Sequence, residues 1–218
     1  RRHSFPTRRS SDLYQFSWFD HHKSAIEDMA GFRWRPLDIH VEDTTRSGAG
    51  IVADCYGRRS KFINYIEDRD LWRFHLPDTM AFSLALRSYD QTFEIWSDLM
   101  ERCEDSQSWN MFIHEGLVIQ RYYNKVVRDL CKQAYQASTI PGDTWVVNCP
   151  RAFASDVAHQ LAQEKQCIAA TWYTDGTSNY WSIRSLEGGP DVSLIAGLYG
   201  GGGHKHASGF RTTVDVTG

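Results

Sequence analysis

Short apolar runs rich in β-branched and aromatic residues alternate along this chain with stretches of helix length. That alternation folds as sheets covered by helices, so it constrains the architecture more than any other feature. Near the front, QFSWF at 15–19 reads as a buried strand ending on charged residues. Small residues open the run SGAGIVADCY at 47–56, the pattern of a helix packed closely on a sheet. KFINYIEDRDLW at 61–72 reads as a helix or loop presenting Asp68 and Asp70. Pro77-Asp78-Thr79 then starts a helical pattern that continues to Arg102, with Asp78 or Thr79 as its N-cap.

A polar break at 104–108 (EDSQS) marks a linker, and a second long helical stretch runs from Phe112 to Ala137. Ile140-Pro141-Gly142 ends it and leads into the strand TWVVN. A helix from Ala152 to Lys165 precedes two further strands, CIAATWYT and NYWSIRS, joined through the hairpin signal Asp175-Gly176. A short helix, a glycine run and a final strand complete the chain. The expected class is α/β: two lobes, a parallel-sheet lobe and a smaller α/β lobe, joined by long helices.

The first thirteen residues, RRHSFPTRRSSDL, fit none of this, because they carry four arginines and no apolar periodicity. They resemble the translated read-through of a sequencing adapter and are set aside as a non-native segment, 1–13. The remaining divisions are 14–105 and 106–218. On this reading the natural protein is cut at its front.

A formal net charge of -3 gives no sign of a broad basic face for long duplex nucleic acid, yet leaves room for a small phosphorylated ligand held by a few local cations. The five cysteines are odd in number and form no C-x-x-C pair, which points to reduced thiols and a cytoplasmic location. No apolar run approaches the roughly 18 residues that a membrane span requires.

Three constellations carry chemistry. Asp20-His21-His22 sits at a strand end and combines carboxylate oxygen with imidazole nitrogen, donors that suit Mn, Fe or Zn; surface histidines capping a helix are the plainer reading. Gly200-Gly201-Gly202-Gly203-His204, followed by KHASG, can close backbone N–H groups around an anion, with His204 and Lys205 adding donors; a flexible linker is the alternative. The acids in Glu67-Asp68-Arg69-Asp70 can bridge cations, or can simply form a solvated helix face. Trp172, Tyr173 and Trp181 could stack a base, although core packing is the plainer reading.

Together, D-H-H at a strand end, Asp68 some fifty residues later and G-G-G-H-x-x-A-S-G near the C-terminus resemble the DHH phosphoesterase superfamily. Its members include RecJ-like exonucleases, oligoribonucleases and cyclic dinucleotide phosphodiesterases. The resemblance covers roughly 14–218 and implies a partial DHH domain followed by a DHH-associated substrate-binding domain. It implies a manganese-dependent hydrolase of phosphate esters in nucleotides or short oligonucleotides, holding two Mn ions when intact. Asp20, His21 and His22 match the catalytic motif, with His21 as a metal ligand, Asp20 as a ligand or its orienting partner, and His22 placing the substrate phosphate. Asp68 matches the later metal-bridging aspartate, with Asp70 as the fallback. Gly201, Gly202, Gly203 and His204 match the substrate-binding loop, and Arg184 is a second phosphate contact or an exposed strand residue.

The implied partner is a short nucleic acid or small nucleotide, with a homodimer possible. The family's N-terminal strand, carrying a His-x-x-x-Asp-x-Asp-type segment, has no counterpart before Asp20. The expectation is therefore weak metal binding and little or no turnover for this chain, and a non-catalytic nucleotide- or RNA-binding module is the alternative function.

Overall fold

The computed structural model describes residues 15–137, 140 and 144–213, so the adapter-like segment lies outside the described residues. The chain is α/β, as its alternating runs predict, and divides into two compact units between Leu76 and Pro77.

In the first unit, strand β1 (Ser17–Asp20) pairs in parallel with β2 (Ile39–Glu42), in a register that sets Asp20 against Glu42. Parallel neighbours need a crossover, and helix α1 (Lys23–Met29) lies in that connection. β1 is half-buried rather than buried as expected, because β2 is its one strand partner among the described residues. Helices α2 (Gly48–Cys55) and α3 (Lys61–Asp70) begin at serine caps: Ser47 Oγ accepts from the Gly50 N–H and Ser60 Oγ from the Ile63 N–H. The two helices pack so closely that a Cβ on Gly50 would stand 1.9 Å from Glu67 Oε2. Within the SGAG run Gly50 is thus a packing requirement, whereas a Cβ on Gly48 would meet nothing within 4 Å.

The second unit opens with helices α4 (Thr79–Ser88), α5 (Phe93–Arg102) and α6 (Ser106–Cys131). The continuous helix expected through Arg102 is therefore two helices. The chain turns extended at Tyr89, and Thr92 starts the second helix by accepting from the Ile95 N–H at 3.3 Å. Asp78 stands at the N-cap position of α4, but with φ 61° and no side-chain cap hydrogen bond. The polar break at 104–108 holds the start of α6, where Asp105 caps the Ser108 N–H at 2.8 Å. The far end of the expected helix instead leaves α6 after Cys131 and becomes strand β3 (Tyr135–Ala137). The sequence-based division near 105 falls between α5 and α6, inside this unit.

The remaining elements are β4 (Thr144–Asn148), α7 (Ala154–Lys165), β5 (Ala169–Thr174), β6 (Ser178–Arg184), α8 (Val192–Leu198), β7 (Gly202–His204) and β8 (Ala207–Thr213). They build one sheet of order β3-β4-β5-β6-β8-β7, antiparallel except for the β4–β5 pair that α7 connects. Side-chain alternation splits the core between the faces. Val147 and Ala169 pack with α7, Tyr123 and Val127 of α6, and Leu84 of α4. Val146, Ala170, Ile183 and Phe210 pack with Val192 and Ala196 of α8 on the other face. Among the described residues no helix is long and apolar enough to cross a membrane.

Candidate functional site

In the first unit, the strand end, the turn after it and the last turn of α3 supply the candidate metal ligands. Asp20 Oδ1 accepts from the His21 N–H at 2.7 Å and the His22 N–H at 2.9 Å, and lies 2.8 Å from His22 Nδ1. Partial burial pushes the Asp20 carboxyl up, but the hydrogen bonds from His22 and His21 together outweigh it and hold the group below its ordinary value. Asp20 therefore stays ionised and orients the two histidines that follow it.

His21 is buried, and its Nε2 lies 3.4 Å from Asp70 Oδ2, while Asp70 is half-exposed. The fold thus brings the D-H-H turn to an acid fifty positions later in the chain. That acid is the fallback Asp70 rather than Asp68. Asp68 is buried and points into the loop after α3, where Oδ1 accepts from the His75 N–H at 2.9 Å and Oδ2 from the Leu76 N–H at 3.1 Å. The same loop holds Trp72 and Phe74 at positive φ, 57° and 52°, and the Arg69 guanidinium lies over both rings, 4.2 Å and 5.3 Å from their centres. Bulky residues adopt that backbone region when their surroundings impose it. No sequence signal marks it.

The remaining acid of the EDRD run, Glu67, is also buried. Its Oε2 accepts from the Ser47 N–H at 2.9 Å, and its Oε1 meets the Arg59 guanidinium. Glu67 and Asp68 are therefore internal fasteners, and Asp70 alone keeps a half-exposed carboxylate. The solvated-face reading of this run does not describe its first two acids.

In the second unit, the glycine run is partly strand. Gly200 has φ 70° and donates to Gly197 O at 3.0 Å, Gly201 donates to Ala196 O at 2.9 Å, and Gly202 opens edge strand β7. Two of the glycines answer to packing: a Cβ on Gly201 would stand 2.2 Å from Gly209 O, and one on Gly203 2.7 Å from Ala207 O. The run is a tight α8–β7 turn and a hairpin arm, not an open loop.

Arg184 ends β6 in register with Ala207 of β8, and Ala207 is in register with His204 of β7. Directly opposed residues project to the same face, so Arg184, Ala207 and His204 form one row, with Arg184 and His204 two strand spacings, roughly 10 Å, apart. Arg184 is half-buried and steered toward α7, donating to Ser155 Oγ at 3.0 Å. Among the aromatic candidates, Trp181 packs between Trp172 and Phe210, with ring centres 6.0 Å and 5.7 Å away, and Tyr173 stacks on Tyr180 at 5.0 Å. Trp181 belongs to the core under α8, the plainer of its two readings.

No known protein-family model matches the chain. An uncharacterized protein of Acanthamoeba polyphaga mimivirus is 28% identical over 208 residues, covering 89% of this chain and 47% of that protein. The chain thus spans about half the length of that relative. Among solved structures, a pGpG-specific phosphodiesterase from Vibrio cholerae aligns over 93% of this chain and 94% of its own, at 11% identity and TM-score 0.43. An uncharacterized protein from Helicobacter pylori G27 aligns over 88% of this chain and 67% of its own, at 14% identity and TM-score 0.32.

Proposed function

We propose that the chain handles phosphate esters of nucleotides or short oligonucleotides as a metal-dependent phosphoesterase. The first unit supplies the metal donors and the second an anion cradle. The observation that carries this reading is the approach of His21 to Asp70 within one unit, 3.4 Å between Nε2 and Oδ2, because it joins two motifs that lie about fifty positions apart in the sequence.

Asp20, His21 and Asp70 offer two carboxylates and one imidazole, a hard and borderline donor set that fits manganese. Asp68, whose two oxygens already accept backbone N–H bonds, acts by positioning the loop after α3. A divalent ion held by these donors would acidify a bound water and offset charge on phosphoryl oxygens. The rest is the work of side chains. With Nδ1 engaged by Asp20, His22 presents Nε2 toward a substrate phosphate. Arg184 and His204, in one row of the second sheet, bind and orient a phosphate group, as charge-assisted donors do.

Manganese binding followed by the electron paramagnetic resonance of the free ion tests the reading without requiring turnover. His21→Ala and Asp70→Asn should abolish binding, and Asp68→Asn should retain it in a protein that still folds. A folded wild-type chain that leaves manganese free, or an Asp70→Asn variant that binds as wild type does, would sink the metal site. Manganese-independent nucleotide binding would then favour a non-catalytic binding module.

A further inference from the structure

We infer that Ser185 and His206 are positioning residues for the anion cradle: they brace the end of β6 against the tip of the β7–β8 hairpin, and so set Arg184 and His204 in their row. This inference rests on the reading of that row as a phosphate site.

Lys205 and His206 form the two-residue tip between His204 and its partner Ala207. The tip is tied down twice through the backbone. The Ser185 N–H donates to His206 O at 3.3 Å, and the Val192 N–H to Lys205 O at 2.8 Å. A third tie is made by side chains. Ser185 Oγ, in a residue only 4% exposed, lies 2.7 Å from Pro190 O and 2.8 Å from His206 Nδ1.

The direction of this relay follows from proton counting. A hydroxyl carries one hydrogen, and the Pro190 carbonyl can only accept, so Ser185 donates to Pro190. The bond to His206 must therefore run from Nδ1–H to Oγ. In the neutral ring that assigns the proton to Nδ1 and the lone pair to Nε2, the reverse of the form that a free histidine side chain favours in water. The same direction rules out Ser185 as a nucleophile activated by His206, because such a pair requires the hydroxyl proton to be given to the imidazole. What remains is a chain of two hydrogen bonds in series, N–H to Oγ–H to carbonyl, each polarising the other. Its first two members sit close to the candidate phosphate contacts along the chain: Ser185 follows Arg184 directly, and His206 stands two positions after His204.

The test combines a spectroscopic signature with ligand affinity in the full chain. Long-range ¹H–¹⁵N correlation spectra should show His206 protonated at Nδ1 in the wild type and not in Ser185→Ala, with Ser185→Thr restoring it. Affinity for the 5′-phosphorylated dinucleotide pApA, measured by calorimetry, should fall about fivefold or more in Ser185→Ala, the factor that one lost hydrogen bond represents. Threonine should recover it.

His206→Asn, whose amide N–H stands where Nδ1–H stands, should bind nearly as wild type does, and His206→Ala should not. These two variants carry the test should Ser185→Ala fail to fold. A wild-type ring protonated at Nε2, or unchanged affinity in His206→Ala, overturns the inference and leaves the phosphate reading intact. Equal losses in His206→Asn and His206→Ala overturn it too, because the far nitrogen would then touch the ligand itself. A folded wild-type chain that binds no pApA removes both the phosphate site and the positioning role.

Discussion

Replacing Asp68 by alanine should unfold the first unit at markedly lower temperature, while the same change at Asp70 should not. Asp68 is 4% exposed and accepts backbone N–H groups of His75 and Leu76 at 2.9 Å and 3.1 Å. A hydrogen bond to a charged partner contributes ~1.5–3 kcal/mol, so losing two costs ~3 kcal/mol or more. The loop they fasten holds Trp72 and Phe74 at positive φ, and without the carboxylate that backbone relaxes. In a domain of this size 1 kcal/mol moves the melting temperature by ~4–8 °C, so the expected drop is ~12–24 °C. Asp70 is half-exposed and faces His21, and a solvated contact of that kind contributes ~1 kcal/mol or less. Calorimetric melting of the full chain and the two variants makes the comparison. An Asp68→Ala protein that melts with the wild type would refute this fastening role for Asp68.

Part of the acid sensitivity should trace to Glu67. Burial pushes its carboxyl up, but Arg59 and the Ser47 N–H outweigh that and leave it below its ordinary 4.5. A depressed carboxylate contributes stability above its unfolded value and loses it as pH falls through the folded one. The urea midpoint should therefore drop as pH falls below about 4.5, and Glu67→Gln should flatten that part of the profile. Gly116→Ala should destabilise the second unit by ~1–3 kcal/mol in urea titrations, because the new Cβ would meet Ala81 O at 2.0 Å on the facing helix. That exceeds the ~1 kcal/mol alanine gains in helix propensity. Gly201→Ala should shift the amide resonances of Gly209 and Phe210 and destabilise the sheet, since its Cβ would stand 2.5 Å from Phe210 Cβ. Gly200→Ala, with open space around it and φ 70°, should cost only ~1 kcal/mol of backbone strain.

Strands and helices of the second unit were legible in the sequence because each carries its own period and its own punctuation. TWVVN, CIAATWYT and NYWSIRS are strands for the reasons their composition suggests, and Asp175-Gly176 turns the chain between two of them. Where local signals compete, sequence pattern and structure part. The pattern through Arg102 is helical on both sides of Thr92, and only the cap geometry reveals the break. The stretch to Ala137 reads as helix throughout, yet pairing with β4 captures its last residues as β3.

The candidate site divides the same way. Asp20, His21 and His22 are adjacent in the chain, whereas twenty positions separate Arg184 from His204. Their common row depends on the β6-β8-β7 order, which no local pattern encodes. The choice between Asp68 and Asp70 was open because two positions along a helix differ by about 200° in facing, and only packing tells which acid turns inward. The Ser185–His206 relay left no trace in the sequence. It is made by residues twenty-one positions apart that meet through strand register.

The most direct test of the whole account is calorimetric titration of pApA into the full chain, with and without manganese, alongside Arg184→Ala and His204→Ala. The account predicts binding to the wild type and its loss in both variants, with their circular dichroism unchanged. A folded wild-type chain that binds nothing, or variants that bind as tightly as it does, would contradict it.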